Sequence, residues 1–138
     1  LEGMHFLCAE DNELNAEILT ELLKMKGAEC TICENGQKVV ETFEQSVPGA
    51  YDMILMDVQM PVMNGYDAAR AIRRSLHKQA GTIPIIAMTA NAFSEDIRHS
   101  LTAGMNAHIS KPVDMMLLEK TIRSIKSGGG AETQADKE

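Results

Sequence analysis

Four short runs in this sequence each end at a residue that can do chemistry. Phe6-Leu7-Cys8-Ala9 leads into Glu10 and Asp11, and Met53-Ile54-Leu55-Met56 into Asp57. Ile85-Ile86-Ala87-Met88 leads into Thr89, and Ala107-His108-Ile109-Ser110 into Lys111. If the fold gathers these ends, three carboxylates, a hydroxyl and an ammonium share one crevice. Packed carboxylates repel: two unit charges about 4 Å apart cost about 4 kcal/mol at an effective dielectric of about 20. A divalent cation removes that cost, and oxygen ligands with room for water suit Mg²⁺ or Mn²⁺. A metal beside a carboxylate polarises a phosphoryl oxygen, and carboxylates are nucleophiles that form acyl phosphates. Lys111 and the Thr89 hydroxyl would balance the phosphoryl charge. The chemistry this spacing suggests is metal-assisted phosphoryl transfer onto a carboxylate.

The elements between these runs decide whether the ends meet. After the first run, Asp11 or Asn12 caps a helix with Leu14, Ile18, Leu22 and Met25 at helical spacing, which Gly27 stops. Cys30 to Cys33 reads as a second strand. Val39, Val40, Phe43 and Val47 mark a second helix after Gly36. The third strand ends at Asp57, and a loop through Pro61 and Gly65 leads to a helix with Ala69, Ile72 and Leu76 on its core face. Phe93, Ile97 and Leu101 mark a fourth helix, ended by Gly104, and Met115, Leu118, Ile122 and Ile125 mark the last. Five strand-then-helix units predict a parallel sheet with helices on both faces. Strands one, three and four are continuously apolar, as strands buried on both faces are, whereas two and five carry interleaved polar residues. Edges at two and five give the flavodoxin-like (βα)5 order 2-1-3-4-5, whose ligand crevice lies at the carboxyl ends of the strands.

The chain of 138 residues predicts one domain, with 44% hydrophobic and 24% charged residues arguing against general disorder. The folded part is expected over residues 4–127. Residues 128–138 open on three glycines, lack large apolar side chains and read as a flexible acidic tail. Thirteen basic against 20 acidic residues, net −7, argue against nucleic-acid binding by this domain. No run reaches the length of a membrane span, so no membrane contact by this domain is expected. Three cysteines are too few for a disulfide scaffold, and a reducing, cytoplasmic setting is the expectation. The chain opens on Leu1 rather than methionine, as expected of a piece of a longer polypeptide, whose parent a membrane could anchor. Oligomeric state is not legible.

Glu10-Asp11-Asn12, Met56-Asp57-Val58-Gln59-Met60-Pro61 with Asn64-Gly65, Met88-Thr89-Ala90 and Lys111-Pro112 resemble the receiver domain of two-component response regulators. Ala87 to Ala92 and Ala103-Gly104-Met105 resemble receivers attached to hybrid sensor histidine kinases. The resemblance implies that Asp57 accepts a phosphoryl group from the phosphohistidine of a histidine kinase or histidine phosphotransfer domain. It implies that Asp11, Asp57 and the Gln59 backbone carbonyl hold Mg²⁺, with Glu10 acting through water. Lys111 would pair with the phosphoryl oxygens, and Thr89 would move toward them with the Ala90 N–H nearby. Thr89 and His108 would form the conformational switch, His108 standing where Tyr or Phe is common. Such a domain catalyses its own phosphorylation and dephosphorylation, and any kinase activity lies elsewhere in the parent chain.

Other readings compete residue by residue. Asp11 and Thr89 could be helix caps, a role compatible with the site. Asp57 could be a turn residue, although an acid directly after four apolar strand residues is costly unless partnered. Cys30-x-x-Cys33 matches a redox or zinc pair, but i and i+3 on a strand point to opposite faces. His5, His77 and His99 lack metal spacing and read as surface residues. A rival is a haloacid-dehalogenase-type phosphatase, which also uses Asp, Thr, Lys and Mg²⁺. That family needs an acid two residues after the nucleophile, where this chain has Gln59. A third is a protein-binding module that is never phosphorylated.

Overall fold

The structure, a computed structural model, describes residues 1–89, 98, 100–111 and 113–126. Five strands, β1 (His5–Ala9), β2 (Glu29–Cys33), β3 (Met53–Asp57), β4 (Ile85–Thr89) and β5 (Ala107–Ser110), form one parallel sheet in the order 2-1-3-4-5. The helices are α1 (Glu13–Met25), α2 (Gly36–Gln45), α3 (Gly65–Arg74) and α4 (Met115–Lys126). The helix predicted around Phe93 and Ile97, His99, Ala90, Pro112 and the tail at 128–138 lie outside the described residues. Residues 100–102 are helical, and that helix closes at Gly104, φ +98°, through Met105 N–H to Ser100 O (2.9 Å) and Gly104 N–H to Leu101 O (3.1 Å).

Strand alternation splits the core into two layers. Leu7, Ile54, Met56, Ile85 and Ala87 pack with Val39 and Phe43 of α2 and Ala69 and Ile72 of α3. Phe6, Cys8, Leu55, Ile86, Met88 and Ile109 pack with Leu19 and Leu23 of α1 and Leu118 and Ile122 of α4. Cys33 belongs to the first layer and Cys30 packs against the second, so the C-x-x-C pair straddles the sheet and cannot chelate one ion.

Three faces read from spacing differ from those observed. In α1 the buried residues are Leu19 and Leu23, while Leu14, Ile18 and Met25 are 63%, 49% and 78% exposed. The helix carries two apolar stripes about 100° apart, and periodicity alone does not say which one meets the sheet. Val47 and Leu76 are also exposed, because α2 and α3 stop before them. Ser46 and Ser75 leave the helical conformation and donate their N–H groups to Phe43 O and Ile72 O.

Candidate functional site

The carboxyl edge of the sheet is assembled by strand ends and helix caps. Register sets Asp57 opposite Met88 and Thr89 opposite Ser110, so the residues that close β3, β4 and β5 come level. Lys111, the residue after β5, is fixed by its backbone N–H on Thr89 O (2.8 Å). At β1 the chain turns at Glu10, whose N–H bonds Cys33 O (3.0 Å), and enters α1 through Asn12. Asn12, not Asp11, is the cap: its Oδ1 accepts from the Asn15 N–H at 2.9 Å. The Asp11 carboxylate therefore stands exposed at the edge.

Glu10, Asp11 and Asp57 each offer a carboxylate oxygen, all lying within 4.8 Å of one another. Asp57 and Glu10 are buried. The Lys111 ammonium donates to Asp57 Oδ2 at 2.9 Å and lies 3.6 Å from Glu10 Oε1. The Gln59 N–H donates to Asp57 Oδ1 (3.1 Å), and the Asn12 N–H to Glu10 Oε2 (3.2 Å). Three negative charges thus face one positive charge. A carboxylate pair at 4.8 Å repels by about 3.5 kcal/mol at an effective dielectric of about 20. Burial raises the Glu10 carboxyl above the ordinary glutamate value; the Asn12 N–H opposes this and the Asp57 charge adds to it. Burial pulls the Lys111 ammonium down, but the hydrogen bond and charge of Asp57, with the charge of Glu10, outweigh it and hold Lys111 above the usual lysine value.

The loop after Asp57 is tightly built. Gly65 N–H closes it on Val58 O (3.0 Å), and a Cβ at Gly65 would overlap the Asp57 carbonyl oxygen. Within it, Met63 N–H bonds Pro61 O (2.7 Å) around Val62, whose φ is +68°. This is a γ-turn of the strained, positive-φ kind, unusual for a β-branched residue.

The structure brings together Glu10, Asp11, Asp57 and Lys111 of the residues singled out from the sequence. Thr89 closes β4 at the same edge of the sheet, its carbonyl holding the Lys111 N–H; Gln59 lies in the adjoining loop, and Ala90 is outside the described residues. His108 pairs in register with Ala87, so its side chain leaves the same face of the sheet as Thr89, two residues along β4. Thr89 is buried and His108 half-buried. His5 and His77 are half-buried, contrary to their surface reading. His77 stacks on Phe43 at 4.2 Å and its Nε2 lies 3.0 Å from Ser46 O, so ring packing between loop and helix accounts for it.

Sequence reasoning missed a cleft beside the site, with a volume of about 320 Å³. Ile18, Leu19 and Leu22 of α1, Met88, Lys111 and Val113 line it. Ile18 and Leu22, two members of the apolar stripe at helical spacing, were its visible signal.

Residues 6–123 match the family model of the response regulator receiver domain. The chain is 37% identical over 120 residues to hybrid signal transduction histidine kinase I of Dictyostelium discoideum, covering 86% of this chain but 7% of that protein. The receiver domain of the histidine kinase CKI1 from Arabidopsis thaliana, solved with Mg²⁺ and BeF₃⁻, superposes with a TM-score of 0.79 at 32% identity, over 92% of each chain. The receiver domain of Saccharomyces cerevisiae Ssk1, solved with the histidine phosphotransfer protein Ypd1, superposes with a TM-score of 0.76 at 33% identity, over 86% of each chain. The fold order, the carboxylate cluster with its lysine and these likenesses converge on one conclusion: the chain belongs to the response regulator receiver domain family.

Proposed function

We propose that this domain takes a phosphoryl group from a phosphohistidine onto Asp57 and relays it as a change of conformation. The observation that carries the reading is the Lys111 ammonium shared between Asp57 and Glu10, with Asp11 beside them. An all-oxygen donor set left with excess negative charge fits Mg²⁺ or Mn²⁺. Asp11 and Asp57 would hold the ion directly, with the Gln59 carbonyl, and Glu10 through water. The ion would supply charge neutralisation at the phosphoryl oxygens.

The chain's own residues do the rest. A carboxylate oxygen of Asp57 attacks phosphorus as the phosphorus–nitrogen bond to the donor histidine breaks. That bond's electron pair returns to the ring nitrogen, and the phosphoryl group stays on Asp57 as an acyl phosphate. Lys111 shifts from the carboxylate to the phosphoryl oxygens. The Thr89 hydroxyl turns toward them, and His108, on the same face of the sheet, follows into the space released. The new charge provides the differential interaction that a two-state shift requires. Gln59 stands where a phosphatase of the rival type needs an acid, and an amide neither takes nor gives a proton in that role.

The donor is proposed to be a histidine phosphotransfer domain or a histidine kinase, seated on the exposed Leu14 and Ile18 of α1 and the cleft beside Lys111. The parent chain is proposed to be a hybrid kinase acting on the cytoplasmic side, with residues 4–127 as its receiver and 128–138 as a linker. Among the described residues no helix is long and apolar enough to cross a membrane. The test is transfer from a phosphorylated histidine phosphotransfer protein. Label should pass to the wild type and not to Asp57→Asn. Leu14→Glu with Ile18→Glu should slow this transfer at least about tenfold, a loss of about 1.4 kcal/mol, and leave labelling by a small phosphodonor unchanged. Equal labelling of Asp57→Asn would overturn the assignment, and an unslowed double variant would remove α1 from the docking face.

A further inference from the structure

Helices α2 and α3 begin alike. Asn35 Oδ1 caps α2 by accepting from Lys38 N–H (2.8 Å), and Asn64 Oδ1 caps α3 by accepting from Asp67 N–H (2.9 Å). Each cap is followed by a buried glycine. Gly65 lies against the backbone of Asp57, as described. Gly36 lies against the loop itself. Its N–H donates to Met63 O at 3.1 Å, and a Cβ there would overlap that oxygen and stand 3.1 Å from Asn64 O. Gly36 does not have a positive φ, so its lack of a side chain provides room and not backbone freedom. The Met63 carbonyl directly follows the strained turn at Val62. The loop is closed at its base by Gly65 N–H on Val58 O, with Val58 itself tied to β4 through Met88 O (3.0 Å). The loop is thus held at both ends, with Met63 between them and against Gly36.

We propose that Gly36, on a different helix and 21 residues before the phosphoacceptor, is a positioning residue for the metal-binding carbonyl of Gln59. This rests on the reading of Gln59 as a ligand. The N-terminus of α2 clamps the loop through one hydrogen bond and one close backbone contact, and so sets where the Gln59 carbonyl stands. Positions that orient a ligand from behind alter metal affinity by about 10- to 100-fold when changed.

The experiment is a Mg²⁺ titration of wild type, Gly36→Ala and Gly81→Ala, the last a control because nothing lies within 4 Å of a Cβ at Gly81. Mg²⁺ affinity is read from the melting shift and from the Mg²⁺ dependence of labelling by a small phosphodonor. Gly36→Ala should weaken the apparent Mg²⁺ constant about tenfold or more, with the maximal labelling rate recovered at saturating Mg²⁺. Gly81→Ala should match the wild type. Equal constants in Gly36→Ala and wild type would overturn the proposal and leave the metal site standing. A wild type that does not respond to Mg²⁺ would overturn the site itself. Should Gly36→Ala not fold, the wild type decides by amide resonances. The Gly36 N–H should shift with the same Mg²⁺ constant as the Gln59 N–H, and a Gly36 resonance that stays still overturns the clamp.

Discussion

At the amino end of β4 and β5 a guanidinium is held by neutral oxygens, while at the carboxyl end of the same strands an ammonium is shared among carboxylates too many for it. Arg73, in the last turn of α3, donates to Gly104 O (2.9 Å), Ala80 O (3.0 Å) and Asn106 Oδ1 (2.9 Å). Asn106 Oδ1 also accepts from Ile85 N–H (2.8 Å), and Asn106 N–H donates to Ile85 O (2.7 Å), which fixes the entry of β5 beside β4. Gly104 is the residue just past a helix end, where a cation meets the negative end of the helix dipole. Burial lowers the Arg73 pKa from its usual value, but an arginine stays charged and its donors are engaged. Lys111 works under the opposite arrangement: its partners keep negative charge to spare. The difference teaches where the molecule keeps stability and where it keeps reactivity. The amino end is closed on itself, whereas the carboxyl end, on the proposed function, is one that a cation and a phosphoryl group from outside would complete.

The largest expected effect breaks the stable end. Arg73→Met should lower stability by about 3 kcal/mol in urea unfolding, since it orphans acceptors that a charged donor had satisfied. The folded fraction should still respond to Mg²⁺ as the wild type does. A loss below about 1 kcal/mol, or a lost Mg²⁺ response, would erase the division between the two ends.

Next is the open end. A ligand that binds only the folded state adds about 2.7 kcal/mol at a hundredfold excess over its Kd. The melting temperature of the wild type should rise with Mg²⁺, and that of Asp11→Ala should move little. An equal rise in both would take Asp11 out of the ligand set.

The smallest effect is a pH dependence carried by His108. Burial holds its imidazole below the ordinary 6.5, so the unfolded chain takes up the proton first as pH falls. Its stabilising contribution is intact above about 6.5 and is lost as pH drops through the lower folded-state value. Comparing the melting temperatures of wild type and His108→Phe between about pH 7.5 and 5.5, the wild type should fall further. Parallel curves would show that His108 titrates alike in both states.

Sequence and structure agree where physics is local. Continuous apolar runs marked β1, β3 and β4 as doubly buried, and residues directly after them had to lie at one edge once the strands were parallel. Choices made by the partner surface were hidden. Leu19 and Leu23, not Leu14 and Ile18, meet the sheet because of what lies beneath α1. Asn12 took the capping role that the sequence left between two neighbours. Arg73 and Asn106 are 33 residues apart, and nothing in either's surroundings in the chain announces the bond. The glycines at 36 and 65 read as turn punctuation, whereas both are buried where another backbone comes too close for a Cβ.

The central claim is that Asp57 becomes a phosphoryl acceptor when a divalent cation completes the acidic cluster around it. The most direct measurement is intact mass after incubation with a small phosphodonor, for wild type and Asp57→Asn, each with Mg²⁺ and with chelator. A gain of one phosphoryl group in the wild type with Mg²⁺, and in none of the other three samples, is the predicted result. The same gain in Asp57→Asn, or in wild type under chelator, would contradict it.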